Sequence, residues 1–368
     1  MLNRYIVFFI FLAGAANGFA QSKKFKATNG EWDVLPYSGN IVKLAFTPTG
    51  YSRNENITDA VVAKPVSQPA AIKISHAANS ITLEKEKRLT ITAAAFADGY
   101  NGFTIGLTDN EKIFGGGERA LPLNRRGYKF PLYNNPWYGY SNGADALNFS
   151  VPFFTSSAGY ALFFDNASKG YVDIGKTNPN VFEAGFSSGE LNVYVIFGKD
   201  YKEILSSYFK LTGTQPLPPR WAMGNFMSRF GYGSEAETKE IAEKMKKEHI
   251  PFDAIIYDLF WFGDSIKRTM GNLDWVNKTA WPNPKKMIGD FKKQNINTVL
   301  IAEPFVLENT KQYNFAKKYF AVDSAGKPFR LTDFYFGYGG LLDIFRKDAS
   351  DWIWKNHYKK QIANGVNA

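Results

Sequence analysis

Two acidic residues stand where runs of apolar residues end. Ala254-Ile255-Ile256-Tyr257 leads into Asp258 and then Leu259-Phe260-Trp261-Phe262-Gly263-Asp264, while Thr298 to Ala302 leads into Glu303-Pro304. An ionised carboxylate accepts hydrogen bonds from two hydroxyls at once, and a neighbouring aromatic ring offers an apolar face. Carboxylates converging beside Trp and Tyr therefore suit a ligand rich in hydroxyls with one apolar face, as a pyranose is. On position alone, Asp258 could equally be a solvated strand-end carboxylate. A third polar segment, Ser228-Arg229-Phe230-Gly231-Tyr232-Gly233, follows another apolar run. In parallel α/β domains ligands meet the carboxyl ends of the strands, which makes these three segments the place to look.

Other chemistries find less support. Phe114-Gly115-Gly116-Gly117-Glu118-Arg119 has the glycines of a phosphate loop but lacks its Lys-Ser/Thr, and no βαβ unit follows, so a tight turn between sandwich strands is expected. The three histidines, His76, His249 and His357, lie far apart and there is no cysteine, so neither a His/Cys metal site nor a disulfide is expected. No cofactor is implied. The formal charge of +10 is scattered among acids, as in Lys85-Glu86-Lys87-Arg88, which argues against a nucleic-acid footprint. The chain holds 32 Phe, 20 Tyr and 8 Trp, enough both for sugar-stacking platforms and for a Phe-rich sandwich core, and composition does not choose between them.

The residues that could act must be held by something, and the text changes character along the chain. Residues 1–20 read as a signal peptide: Asn3-Arg4, the apolar run Tyr5 to Ala16, then Gly18-Phe19-Ala20. The run is shorter than the ~20 residues of a membrane span, so an exported, periplasmic or extracellular protein without an integral membrane segment is expected. Residues 21–215 read as short alternating strands, including Val42/Leu44/Phe46, Ile81–Leu83, Leu89–Ile91, Leu147–Thr155, Tyr160–Asp165 and Leu191–Phe197, the pattern of an antiparallel sandwich. Pro216-Leu217-Pro218-Pro219 marks the boundary.

From residue 216 to 368, strand and helix alternate. Strands are expected at Trp221–Met227, Phe252–Leu259 and Thr298–Ala302. Helices are expected from Ser234, with Glu237 completing a capping box, from Asn283-Pro284, over Glu308–Lys318, and from near Asp348 to Asn364-Gly365. Val366-Asn367-Ala368 looks like the opening of a fourth strand. Repeated βα units imply a parallel sheet, and three or four such strands cannot close a barrel, so the sequence is expected to be the front portion of a longer protein.

Gly115-Gly116-Gly117-Glu118-Arg119, Pro136-Trp137-Tyr138-Gly139, Asp258 through Asp264, Met270-Gly271-Asn272-Leu273, Trp281-Pro282-Asn283-Pro284 and Glu303-Pro304-Phe305 occur in the order seen in glycoside hydrolase family 31, which the sequence resembles over nearly all of the mature chain. Within it, the oligosaccharide 4-α-glucosyltransferase branch is most similar. The resemblance implies an N-terminal antiparallel β-sandwich, galactose-mutarotase-like, followed by an incomplete α/β (β/α)8 TIM barrel, and a double displacement at an α-glucosidic bond. It implies that Asp258 binds the 4-hydroxyl side of the non-reducing glucose, with Trp261, Ile301 and Glu303 in the same pocket. Tyr335 and Phe336 would form an aromatic wall, and Trp137 and Tyr138 would shape the acceptor site.

Where family members commonly show Asp-Ile-Asp-Tyr or Asp-Ile-Glu-Tyr this chain has Asp258-Leu259-Phe260-Trp261, and where they commonly show Asp-Pro it has Glu303-Pro304. Both departures are shared with that branch and tilt the expectation toward transfer. The nucleophile and the acid/base are expected beyond Ala368, and Asp264 and Asp274 are assigned neither role. The partner expected is an α-linked gluco-oligosaccharide, with the oligomeric state open, and the isolated chain is expected to be inactive and prone to aggregate. The alternatives are a non-catalytic glycan-capture protein using the sandwich, and an α-xylosidase within the same chemistry.

Overall fold

A computed structural model of the protein describes residues 22–53, 58–66, 71–134, 139–265, 267–330 and 335–368, and the chain divides into two compact units between Gln215 and Pro216. The expected signal peptide lies outside the described residues.

The strands of the first unit are β1 (Lys23–Ala27), β2 (Gly30–Ser38), β3 (Ile41–Pro48), β4 (Lys73–Ala77), β5 (Ser80–Glu84), β6 (Arg88–Ala95), β7 (Asn101–Gly106), β8 (Ile113–Gly115), β9 (Tyr128–Leu132), β10 (Phe153–Ser156), β11 (Tyr160–Phe164), β12 (Gly170–Ile174), β13 (Val181–Phe186) and β14 (Leu191–Phe197). They form two antiparallel sheets, in the orders β1-β2-β3-β14-β11-β10-β8 and β4-β5-β6-β7-β13-β12-β9. Alternation drives the arrangement. Val42, Leu44 and Phe46 of β3 face Ile81, Leu83 and Ile91 of the other sheet across one core. Much of the aromatic excess goes here: Trp32 stacks on Phe103 with ring centroids 5.9 Å apart, and Phe154 meets Phe182 edge-on at 5.3 Å.

The segment expected as a strand from Leu147 becomes one only at Phe153. Ahead of it, the backbone of Phe149 and Val151 bonds to Glu118 and Gly116 of the glycine turn. That turn is structural. Gly117 has φ +88°, and a Cβ there would lie 2.6 Å from Phe149 O. The buried Arg119 guanidinium donates to Phe149 O (3.1 Å), Pro131 O (2.8 Å) and Ser150 Oγ (2.7 Å), and burial pushes it down to about 10. Helix α1 (Tyr201–Thr212), capped by Asp200, covers the outer face of the first sheet through Ile204 and Leu211, and Tyr208 stacks on Phe153 at 4.0 Å.

The second unit contains β15 (Phe226–Ser228), α2 (Glu235–Lys247), β16 (Ala254–Tyr257), α3 (Pro284–Lys293), β17 (Asn297–Leu300), β18 (Phe305–Leu307), α4 (Tyr313–Ala316), β19 (Gly339–Leu341), α5 (Lys347–Ile353) and α6 (Lys359–Ala363). Strands β15, β16 and β17 form a parallel sheet, with α2 and α3 as crossovers. Asn367 N donates to Thr298 O (2.9 Å) and Leu300 N to Ala368 O (2.9 Å), so the last residues run along β17 as a fourth extended segment. The helix starts follow the sequence: Ser234 Oγ accepts from Glu237 N (3.1 Å) and Asn283 Oδ1 from Lys286 N (3.1 Å), ahead of Pro284.

Three expectations are corrected. Strand β15 starts at Phe226 rather than Trp221, because Pro219 feeds a 3₁₀ turn over Arg220–Met223 that consumes its own backbone bonds. The helix expected over Glu308–Lys318 shrinks to α4 and a following 3₁₀ turn. Phe305–Leu307 pairs instead with Gly339–Leu341, and Thr310 N closes a turn on Leu307 O (3.0 Å). The last helix starts near Asp348 as expected, at Lys347, but is interrupted by a wide π turn over Trp354–Tyr358. Among the described residues no helix is long and apolar enough to cross a membrane, and no group of three or more His, Asp or Glu side chains could hold a metal ion.

Candidate functional site

Register places the two acids side by side. Tyr257 of β16 pairs with Leu300 of β17, and Ile301 N donates to Tyr257 O at 3.1 Å, so Asp258 and the Ile301–Glu303 segment leave the sheet together at its carboxyl end. Asp258 caps a 3₁₀ turn over Leu259–Phe262, its Oδ1 accepting from Leu259 N at 2.7 Å. Among the described residues Asp258 Oδ2 and the Glu303 carboxylate accept no hydrogen bond. Glu303 is half-buried, and its carboxyl is held above the ordinary value first by loss of water and second by the like charge of Asp258. Two carboxylates with free acceptor positions thus share one partly desolvated place. Donated hydroxyl hydrogens would stabilise their charges, and an anion would be repelled.

Trp261 is 2% exposed and sits beneath the site rather than at its surface. Its indole N–H donates to Ile301 O at 2.9 Å, joining the ends of β16 and β17. Trp281 Nε1 likewise donates to Phe260 O (2.9 Å) and Trp275 Nε1 to Gln361 Oε1 (3.0 Å). The three indoles and Tyr257 pack against one another, with Trp275–Trp281 centroids 4.9 Å apart and Tyr257–Trp281 at 5.5 Å. This buried aromatic block fixes the backbone that carries Asp258 and Ile301. Ile301 itself is partly buried against the barrel core.

The loop after β16 is held from the other side. Gly271 has φ +100°, and a Cβ there would lie 2.6 Å from Val306 Cα, so this close crossing over β18 admits only glycine. Asn272 Nδ2 donates to Phe262 O at 3.0 Å. Tyr335 and Phe336 lie against this loop: Arg268 N donates to Phe336 O (3.0 Å), and the Lys267 ammonium lies 4.6 Å from the centre of the Tyr335 ring. Phe336 packs on the barrel core and Tyr335 is exposed, the two rings meeting edge-on at 5.3 Å. Trp137 and Tyr138 lie outside the described residues. Asp264 is exposed, and Asp274 is tied to the last helix by Lys360 Nζ (3.8 Å) and Gln361 Nε2 (3.4 Å).

One residue at the sheet's carboxyl end is absent from the sequence-derived site. Phe230, in the loop after β15, is 60% exposed and meets Phe260 edge-on at 6.3 Å. The available signal was a large apolar residue between Arg229 and Gly231, in a loop too polar to bury it.

An antiparallel sandwich followed by parallel βα units, with acids at adjacent strand ends, defines a sandwich-and-barrel protein whose ligand end favours hydroxyl donors. Residues 15–173 match the glycosyl hydrolase 31 N-terminal galactose mutarotase-like domain, and residues 215–368 match the glycosyl hydrolases family 31 TIM-barrel domain. The chain belongs to glycoside hydrolase family 31. It is similar to alpha-glucosidase 2 of Bacillus thermoamyloliquefaciens, 26% identical over 363 residues that cover 90% of this chain and 45% of that protein. An alpha-xylosidase of Saccharolobus solfataricus is 29% identical over 214 residues, covering 56% of this chain and 28% of that protein. Among solved structures, a Flavobacterium johnsoniae dextranase of the same family, complexed with glucose, superposes with a TM-score of 0.79 at 26% identity, covering 95% of this chain and 46% of that one. A mutant of that dextranase has been solved with isomaltotriose. The chain spans about half the length of the alpha-glucosidase and of the dextranase.

Proposed function

We propose that the protein is an exported retaining enzyme acting on α-linked gluco-oligosaccharides, and that Asp258 and Glu303 hold hydroxyls of the non-reducing glucose. The observation that supports this most is the pair of carboxylates at the ends of β16 and β17, with acceptor oxygens unpartnered among the described residues. A vicinal diol brings two donors to that place, and each hydroxyl hydrogen offsets part of the lost hydration and of the like charge that raise Glu303. Ile301 offers an apolar contact, Trp261 acts through the backbone it braces, and the Tyr335/Phe336 pair supplies rings for a further sugar unit. A retaining displacement needs two further carboxyl groups about 5–5.5 Å apart, one ionised to attack the anomeric carbon and one protonated to release the leaving oxygen. Neither role is assigned to Asp258 or Glu303, because a carboxylate committed to recognising hydroxyls is not free to attack. Transfer to a second sugar, rather than to water, is the finer reading.

The similarity to an alpha-xylosidase supports a second reading, in which the sugar is xylose. Incubating the full-length protein with maltotriose, isomaltotriose and an aryl α-xyloside, then separating the products, decides among them. Oligomers longer than the substrate establish transfer, and glucose alone establishes hydrolysis. Turnover confined to the xyloside moves the assignment to xylose. No turnover of any of the three overturns the proposal.

A further inference from the structure

One cavity in the sandwich, remote in sequence from the barrel acids, carries side chains suited to a sugar. At one end of the two sheets a cavity of ≈ 370 Å³ is bounded by Tyr51 and Ser52 after β3, by Asn101 at the start of β7, and by the Ser187–Glu190 turn between β13 and β14. Its floor is the edge of the sandwich core, Phe46, Phe186 and Leu191. The volume falls within the range of about 300–1,000 Å³ that accommodates small ligands.

The walls are prearranged. Asn166 Nδ2 donates to Ser188 O and to Glu190 O, both at 2.9 Å, and Ser168 Oγ donates to Ser188 O at 2.8 Å, fixing the turn around Gly189 with its φ of +80°. On the opposite wall Tyr51 N donates to Pro48 O (3.1 Å) and Thr49 N to Asn29 O (2.8 Å). Within this frame four of the side chains that line the cavity are uncommitted. Among the described residues the side chains of Tyr51, Ser52, Asn101 and Ser187 make no hydrogen bond, and Tyr51 is 71% exposed with no ring partner. With an amide, hydroxyls and the Glu190 carboxylate lining the same cavity, the exposed Tyr51 ring has the chemistry of a platform for the apolar face of a pyranose, with donors and acceptors nearby for the equatorial hydroxyls.

We infer that this end of the sandwich binds a neutral oligosaccharide chain, with Tyr51 as the stacking platform and Asn101, Ser52 and Ser187 as the hydroxyl partners. The choice of α-linked glucose chains as the ligand rests on the proposed function, whereas the site itself does not. Its effect would be to hold a polymeric substrate on the enzyme.

The test uses the full-length protein and its Tyr51→Ala, Tyr51→Phe and Asn101→Ala variants, run through native gels containing soluble amylopectin or dextran, with turnover of a small aryl α-glucoside measured in parallel. Retardation by at least one polymer is expected for the parent and for Tyr51→Phe, which keeps the ring. Tyr51→Ala should lose that retardation, Asn101→Ala should weaken it several-fold, and aryl glucoside turnover should match the parent in all three. Unchanged retardation of both alanine variants overturns the inference, as does a parent that neither polymer slows. If retardation depends on Tyr51 while no α-glucoside is turned over, the sandwich site stands and the barrel assignment falls. Turnover with retardation indifferent to Tyr51 gives the reverse.

Discussion

Replacing Trp261 by Phe isolates what the aromatic block does for the site. The side chain is 2% exposed, and its N–H to Ile301 O, at 2.9 Å, joins β16 to β17 just where Asp258 and Glu303 leave the sheet. Phe keeps most of the buried apolar surface but has no donor, so the Ile301 carbonyl loses its partner, at a cost of about 1–3 kcal/mol. The smaller ring leaves a void beside Trp275 and Phe262, whose rings lie 5.5 and 5.4 Å away, adding roughly 1 kcal/mol. A loss of about 2–4 kcal/mol lowers Tm by about 4–16 °C in a unit of about 150 residues. The second consequence separates bracing from mere stability. Once the carbonyl at 301 is released, the acids are less well placed, so KM for an oligosaccharide should rise several-fold at a temperature where the variant is fully folded. Calorimetric or fluorescence-detected melting gives the first number and steady-state kinetics on the full-length protein the second. A Tm within 1 °C of the parent would refute the value placed on the bond, and an unchanged KM would refute the bracing role.

Two further predictions follow from protonation. Glu303 has a folded-state pKa raised above the ordinary 4.5, so its stabilising contribution is complete below that value and is lost as pH rises through the folded one. Glu303→Gln should therefore melt above the parent near neutral pH and together with it at about pH 3, while binding oligosaccharide more weakly; equal melting at both pH values would refute the raised pKa. His357 is buried and kept neutral, its pKa depressed below 6.5 by burial first and by the Lys360 charge second. Its contribution is present above 6.5 and lost as pH falls, so the parent should lose stability from there downward and His357→Gln should flatten that decline; parallel pH–Tm curves would refute it.

Much of the site's framework was legible because local rules and tertiary packing agreed. Asp258 and Glu303 ended apolar runs that the sheet buries, and Ser234 and Asn283 capped helices as their side chains dictate. What failed was set by distant partners. Phe305–Leu307 became a strand by pairing with Gly339-Gly340-Leu341, a tripeptide with almost no strand propensity of its own, more than thirty residues away in sequence. Nothing near Glu308 announced that pairing, so a helix was the local reading. Trp261 was recognisable as important, but its role was not, because a tryptophan that stacks on sugar and one that ties two strands look alike in a string of letters. Its burial and its bond to Ile301 tell them apart. Phe230 was overlooked because one apolar residue in a glycine loop carries no periodicity.

The wide turn over Trp354–Tyr358 has a consequence for how far the last helix can vary. Ala349, Ile353, His357 and Gln361 are all buried, each four residues after the one before. In an unbroken α-helix a step of four overshoots a full turn by about 40°, so such a row winds away from the core. One slack turn cancels part of that winding and keeps Gln361 within 3.0 Å of the Trp275 indole. The spacing works as a vernier. Shortening the segment by one residue would give a tidier helix and aim the glutamine away from its tryptophan.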